Sequence, residues 1–372
     1  MKEQVTMDFY IRETPEVFQK NFENRKKLLE EIVNEFVRGG YENIDLIASG
    51  SSNNSARCAV PFMEKLLGIQ IRVLTPFYFC HYVDTLPKDT LPLVISQSGY
   101  STNAIRAARK LKEMGRPSIA LTGDSDSDIK EECSLLINYG MGVETVGYTT
   151  KGSVVLMEFL MLFAMESAAA QEKLGEDEYG RIAALFGKAG QAHRIVYEEA
   201  RRFYEENKDS LNQMEKVYIM GSGANVGTAM EGALKISETV HCICSAYETE
   251  EYIHGPNIQV KKDYTLFFLD SFTDVRERIR QIREASRCFT PNVYGFSGVF
   301  ISRKLGIETE DMGWFDLISP LFNVVYFQYL SYKITEETGR WDDNGAEYDR
   351  FDALVHSKTE TYEKMYQAGL VT

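Results

Sequence analysis

Several features are missing from this chain, and each absence narrows the reading. Its six cysteines (Cys58, Cys80, Cys133, Cys242, Cys244, Cys288) form no C-x-x-C pair and no signal peptide is evident, so a reduced cytoplasm is the expected compartment. Positive charge is short: 41 Lys and Arg face 55 Asp and Glu, a net charge of −14. Neither nucleic acid nor an anionic membrane surface is therefore expected as a partner. A small anionic substrate stays open, because a few backbone N–H groups can hold a phosphate locally. No apolar run is uninterrupted over a membrane's width. Ser153–Ala170 is broken by Glu158 and Glu166, and Phe315–Ile334 by Asp316, Pro320, Asn323 and Gln328. Both read as buried helices of a globular protein or of a subunit interface.

What is present suits a globular enzyme-sized chain. With 372 residues, 44% of them apolar and 26% charged, it can fill two or three domains. It also echoes itself: LIASGSSNNSA (Leu46–Ala56) aligns with YIMGSGANVGTA (Tyr218–Ala229), each an apolar strand, a Gly/Ser turn and a helix. Further apolar strands are predicted at Ile71–Pro76, Pro92–Gln97, Ser118–Gly123 and Leu135–Gly140, then at Thr265–Asp270 and Pro291–Phe296, with helices such as Asn103–Met114 among them. Continuous apolar strands alternating with helices indicate parallel sheets covered on both faces. The fold class is thus α/β, two three-layer α/β/α sandwiches related by an internal repeat. The expected boundaries are 30–172 and 213–336, with a charged helical connector at 173–212 and a tail at 337–372.

In such sheets ligands bind beyond the carboxyl ends of the strands. There the first half places three hydroxyl-rich loops: SGSSNN (Ser49–Asn54), SQSGYST (Ser96–Thr102) and GYTTKG (Gly147–Gly152). A single Ser or Thr would be an ordinary helix cap. Three clusters exceed what capping needs and read as a phosphate cradle, made of hydroxyls and the free N–H groups of helix N-termini.

The second half differs. At the place matching SQSG it reads LDSFTD (Leu269–Asp274), where Asp270 and Asp274 would repel a phosphate. Its first helix instead carries Glu231, Lys235 and Glu238 at i, i+4 and i+7, on one helical face. Taken alone, an exposed Glu231–Lys235 pair would be worth about 0.3 kcal/mol. The position of this helix, after the turn Gly221-Ser222-Gly223, favours function. His254, one of five histidines, sits in a His-Gly-Pro turn 16 residues beyond Glu238 and is a general acid/base candidate. His241, Cys242 and Cys244 are read as core residues of a continuing helix, since that spacing does not converge on a metal.

With these residues in hand, the chain resembles the sugar isomerase (SIS) family. VISQSGYST looks like its phosphate loop, and EGALKISE followed by HGP resembles the signature of fructosamine-6-phosphate deglycases and of the isomerase half of glucosamine-6-phosphate synthase. The resemblance implies that Ser51 and Ser52 contact the sugar or its phosphate, and that Ser96, Gln97, Ser98 and Ser101 hold the phosphate. Thr149 and Thr150 match the third substrate loop. Glu238 matches the carboxylate that moves a proton between C1 and C2, and Glu231 and Lys235 its supporting residues. His254 matches the ring-opening residue, which the family draws from a partner subunit. Lys358, in the acidic tail, is a candidate for closing the site. Tyr100 departs from the resemblance, standing where many relatives have Glu, and no glutamine-hydrolysing or DNA-binding module is expected ahead of the first strand. The implied activity is a cofactor-free, metal-free deglycase that turns a fructosamine 6-phosphate into glucose 6-phosphate and an amine. An aminosugar-phosphate isomerase/deaminase and a non-catalytic sugar-phosphate sensor remain alternatives. A sugar phosphate and a second copy of the chain, as a homodimer with shared sites, are the expected partners.

Overall fold

The computed structural model describes residues 6–341 and 345–368. By internal contacts the chain divides into two compact units. One consists of Lys20–Ala56, Met63–Glu176 and the described part of Asp342–Thr372; the other takes the described part of Met1–Gln19, Arg57–Phe62 and Asp177–Trp341.

The first unit is built on β1 (Asn43–Ala48), β2 (Gln70–Leu74), β3 (Thr90–Ile95), β4 (Ile119–Thr122) and β5 (Leu135–Asn138), in the order β2-β1-β3-β4-β5. Every pairing is parallel. All six residues of β3 are buried, as a central parallel strand covered on both faces requires, whereas β2 at the edge is half exposed. The order reverses between β1 and β3, so the loops after these two strands open onto the switch-point crevice. Those loops lead into α1 (Gly50–Leu67) and α2 (Thr102–Glu113), and a third loop leads into α3 (Lys151–Ala170). Helix α3 is apolar all round and nearly every residue is buried. Among the described residues it alone is long and apolar enough to cross a membrane, and 83% of that stretch lies inside the protein. Its Glu158 is buried, and burial pushes its carboxyl well above the usual range, with the Asn21 side chain opposing.

The main segment of the second unit, from Asp177, opens within α4 (Glu176–Leu211), a single helix of 36 residues. Its sheet contains β6 (Lys216–Gly221), β7 (Ile243–Glu248), β8 (Tyr264–Leu269) and β9 (Val293–Phe296), ordered β7-β6-β8-β9 and again wholly parallel. Helix α5 (Asn225–Thr239) follows β6 through a turn that only glycine fits: a Cβ on Gly221 would lie 2.1 Å from the Asn225 carbonyl oxygen. Gly232 likewise lets the Phe327 ring approach, from α6 (Pro320–Thr338).

Two local expectations are corrected. HCICSAYE does not continue the helix. His241, at φ +57°, ends it, and Ile243–Glu248 becomes edge strand β7, with Cys242 and Cys244 only partly buried rather than core. The run Phe315–Ile334 is not one helix either: Met312–Ile318 ends before Ser319, and Pro320 opens α6 at its first position, where its missing N–H has no cost.

Candidate functional site

In the first unit the three hydroxyl-rich loops stand beyond β1, β3 and β5, at the carboxyl end of the sheet. Asn103 Nδ2 donates to Ser49 Oγ at 3.1 Å, tying the first loop to the second. Ser51 and Ser52 lie in the opening turn of α1, Ser51 half-buried and Ser52 buried. The second loop turns sharply at Gly99, whose φ of +72° suits glycine, and the Gly99 N–H donates to both the carbonyl and the hydroxyl of Ser96. Ser98 and Ser101 remain half-buried at the rim.

The tail reaches this loop. Lys358 forms an isolated antiparallel bridge with Ser101. The Thr102 N–H donates to the Ser357 carbonyl, and the Thr359 N–H donates to that of Tyr100. The Lys358 amine then donates to Ser98 Oγ at 3.1 Å and to Ser101 Oγ at 3.4 Å. Burial lowers its pKa, opposed by the Asp352 charge. Tyr100 serves the same docking: its ring meets that of Tyr362 at 5.7 Å, and its hydroxyl donates to Asp124 at 3.0 Å. Burial first, then that carboxylate, push its pKa up to about 12.

The third loop holds a residue that sequence reasoning missed. Glu144 Oε1 accepts from the N–H groups of Thr150 (3.0 Å) and Lys151 (2.7 Å), and Oε2 accepts from Gly152 (3.0 Å) and from Gln97 Nε2 (2.9 Å). It therefore links Gln97 in the second loop to Thr150 in the third. Burial raises its carboxyl pKa, and the three backbone N–H groups and the Lys151 charge pull it back. Thr149 is half-buried beside it, and Thr150 is fully buried with its hydroxyl on the Tyr148 carbonyl. No local signal marks a carboxylate seven residues ahead of the first residue of the helix it caps.

In the second unit, α5 brings together the three residues expected on one face. Lys235, 1% exposed, bonds to Glu238 and stands 3.4 Å from Glu231, itself fully buried. Burial would draw the Lys235 pKa down, yet the two carboxylates outweigh it and hold the amine above its usual value. Glu238 keeps 29% of its side chain exposed. Its pKa is raised by burial and by the Glu231 charge, against the pull of Lys235. A buried ammonium between two carboxylates, one of them open to solvent, leaves a base of raised basicity facing outward. At the place matching SQSG, Asp270 is buried and paired with Arg276 at 3.0 Å, so the second switch point carries a carboxylate where the first carries serines.

His254 does not join this group. It sits exposed at the end of the short turn Glu251–Ile253, its N–H on the Glu251 carbonyl, and no hydrogen bond links it to Glu238. Among the described residues no group of three or more His, Cys, Asp or Glu is placed to hold a metal ion.

Residues 41–165 match the SIS domain model. Glutamine–fructose-6-phosphate aminotransferase (isomerizing) of Pseudomonas aeruginosa is 26% identical over 341 residues, 87% of this chain and 54% of that protein. The chain thus spans about half the length of the curated relatives it matches. The fold matches the C-terminal domain of glucosamine-fructose-6-phosphate aminotransferase from Francisella tularensis, with a TM-score of 0.78, 18% identity and coverage of 91% and 98% of the two chains. It also matches glucosamine-6-phosphate deaminase from Thermotoga maritima, with a TM-score of 0.68, 20% identity and coverage of 89% and 97%.

Proposed function

We propose that this chain, which carries a SIS domain over residues 41–165, is a sugar-phosphate enzyme of the isomerase kind, and that its substrate is a fructosamine 6-phosphate such as fructoselysine 6-phosphate. The observation that carries the reading is the half-open Glu238 carboxylate bonded to the buried Lys235. Such a group can take a proton and hand it on, which a protein that only senses a sugar phosphate does not need.

In this proposal Ser96, Gln97, Ser98 and Ser101 hold the phosphate, with Ser51, Ser52, Thr149 and Thr150 on the sugar side and Lys358 supplying the cation. Glu238 removes a proton from C1 of the open-chain aminoketose while O2 takes one from water, giving the 1,2-enaminol; Glu238 then returns its proton to C2 and the nitrogen releases one to water. The product is an imine at C1, which water hydrolyses to glucose 6-phosphate and the free amine. Glu231 and Lys235 keep Glu238 oriented and set its basicity. His254, on its exposed turn, is assigned the ring-opening proton transfer at O5 in a homodimeric assembly. A cytoplasmic setting fits such a substrate.

An aminosugar-phosphate isomerase or deaminase is the second reading, favoured by the names of the relatives. The two separate in one experiment. Purified protein is given fructoselysine 6-phosphate, and separately fructose 6-phosphate with ammonia, and both hexose products are measured. Glucose 6-phosphate from the first mixture, lost in Glu238→Gln, supports the deglycase. Glucosamine 6-phosphate from the second moves the activity to the aminosugar branch. Silence in both, with sugar phosphate still bound, would remove the enzyme reading.

A further inference from the structure

Glu144 belongs to none of the sequence motifs, yet its two oxygens collect four donors from two different loops. Three of these donors are the N–H groups of the α3 N-cap residue Thr150 and of its first helical residues Lys151 and Gly152, the groups that would otherwise make this helix N-terminus an anion site. An internal carboxylate already occupies that place. The fourth donor is the side chain of Gln97, and its chemistry settles an ambiguity. A carboxylate only accepts, so the Gln97 amide must turn its nitrogen toward Glu144 and its oxygen away.

Gln97 is held from a second side by the absence of a side chain. Its amide lies flat against Gly152, where an added Cβ would stand 2.7 Å from both Cδ and Nε2 and 2.9 Å from Oε1. Its backbone is pinned as well, because its carbonyl accepts from the Gly123 N–H at 2.8 Å and from Thr122 Oγ1 at 3.2 Å. Gln97 thus has one orientation, fixed by a charge on one face and a bare backbone on the other.

We infer that Glu144 is a positioning residue for sugar-phosphate binding: it fills the N-terminal anion site of α3 and locks the Gln97 amide against Gly152. The ligand's phosphate is thereby directed to the serines of the Ser96–Thr102 loop, and Gln97 presents its oxygen and its remaining N–H in a single arrangement. Glu144 acts through Gln97 and touches no ligand. This deepens the sugar-phosphate reading and rests on it.

A double-mutant cycle read by calorimetric binding of glucose 6-phosphate tests the inference. Gln97→Ala, Glu144→Gln and Gly152→Ala should each weaken binding about tenfold, the scale of one charge-assisted hydrogen bond. The effects of Glu144→Gln and Gly152→Ala should then vanish in the Gln97→Ala background. Gly152→Ala leaves the carboxylate and the net charge in place, so it carries the test if Glu144→Gln fails to fold. Undiminished effects in the Gln97→Ala background would make Glu144 an ordinary structural cap and overturn the inference, as would a Gln97→Ala variant that binds normally. Wild-type protein that binds no sugar phosphate would remove the functional proposal itself, and the inference with it.

Discussion

The Lys358 amine donates to Ser98 Oγ at 3.1 Å, joining two residues 260 positions apart. A cation that arrives from the tail completes a cradle whose own loop contains no charged side chain between Ser96 and Thr102. Lys358→Met should therefore weaken binding of a sugar phosphate by roughly tenfold or more, since a hydrogen bond to a charged group is lost. Calorimetry on the variant checks this, and unchanged affinity would leave the tail a bystander.

The same amine gives a pH dependence. Burial lowers the Lys358 pKa, so the free protein gives up this charge at a lower pH than an ordinary lysine. Binding of a phosphate dianion draws the proton back, so affinity should fall as pH rises, and the fall should begin below the ordinary lysine value of about 10.4. Lys358→Arg, which keeps its charge throughout, should flatten the curve.

Glu238 sets the opposite limb. A base must be ionised, and burial together with the Glu231 charge raises its pKa above the ordinary glutamate value. The acid limb of kcat/KM should lie above about pH 4.3, the reference value for glutamate, with rate rising as pH rises through the raised pKa. Glu238→Gln should abolish turnover while leaving sugar-phosphate binding nearly intact. Loss of both would make Glu238 a structural residue.

Lys235→Met would leave Glu231 buried without its cation and should destabilise the fold by about 3–5 kcal/mol. The sign with pH is definite. Glu238, whose folded pKa burial already raises, would lose the cation that pulls it back, so folding takes up protons and stability falls as pH rises. Denaturant melts at mildly acidic and mildly alkaline pH should show the larger loss at alkaline pH. Adding Glu231→Gln should restore part of it.

Gly99→Ala joins a backbone cost to a clash. At φ +72° an L-residue costs about 1–2 kcal/mol. The added methyl would also stand 1.8 Å from Ser127 Oγ. A lowered melting temperature together with weakened sugar-phosphate binding is expected, because this turn shapes the cradle loop itself.

Much of the architecture was legible because parallel strands announce themselves as short apolar runs closed by Gly or Ser. Leu46–Ala48, Leu93–Ile95 and Tyr218–Met220 are of this kind, and the observed strands contain them. β7 was not, because an edge strand half open to solvent carries Ser245, Tyr247 and Glu248 and loses the apolar signature. The break at Ser319 was hidden for another reason: apolar residues continue on both sides, and only Pro320 marks the new helix start. In the site, the hydroxyl loops and the i, i+4, i+7 face of α5 follow from spacing alone. Burial does not, and it turns Glu231–Lys235 from a weak surface pair into a fully enclosed one. Glu144 escaped because its partners are backbone groups and a glutamine 47 positions away, which no local pattern encodes.

The bridge between Ser101 and Lys358 runs antiparallel in a protein whose two sheets are parallel throughout. It also closes a loop of 257 positions, and long-range closure is entropically late because it gains nothing until both ends are already ordered. Order of assembly then becomes order of competence: on refolding, the sheets and their helices regain their backbone signal first. The cradle receives its cation only when the last stretch of chain returns to the loop after β3, so ligand binding should lag behind structure.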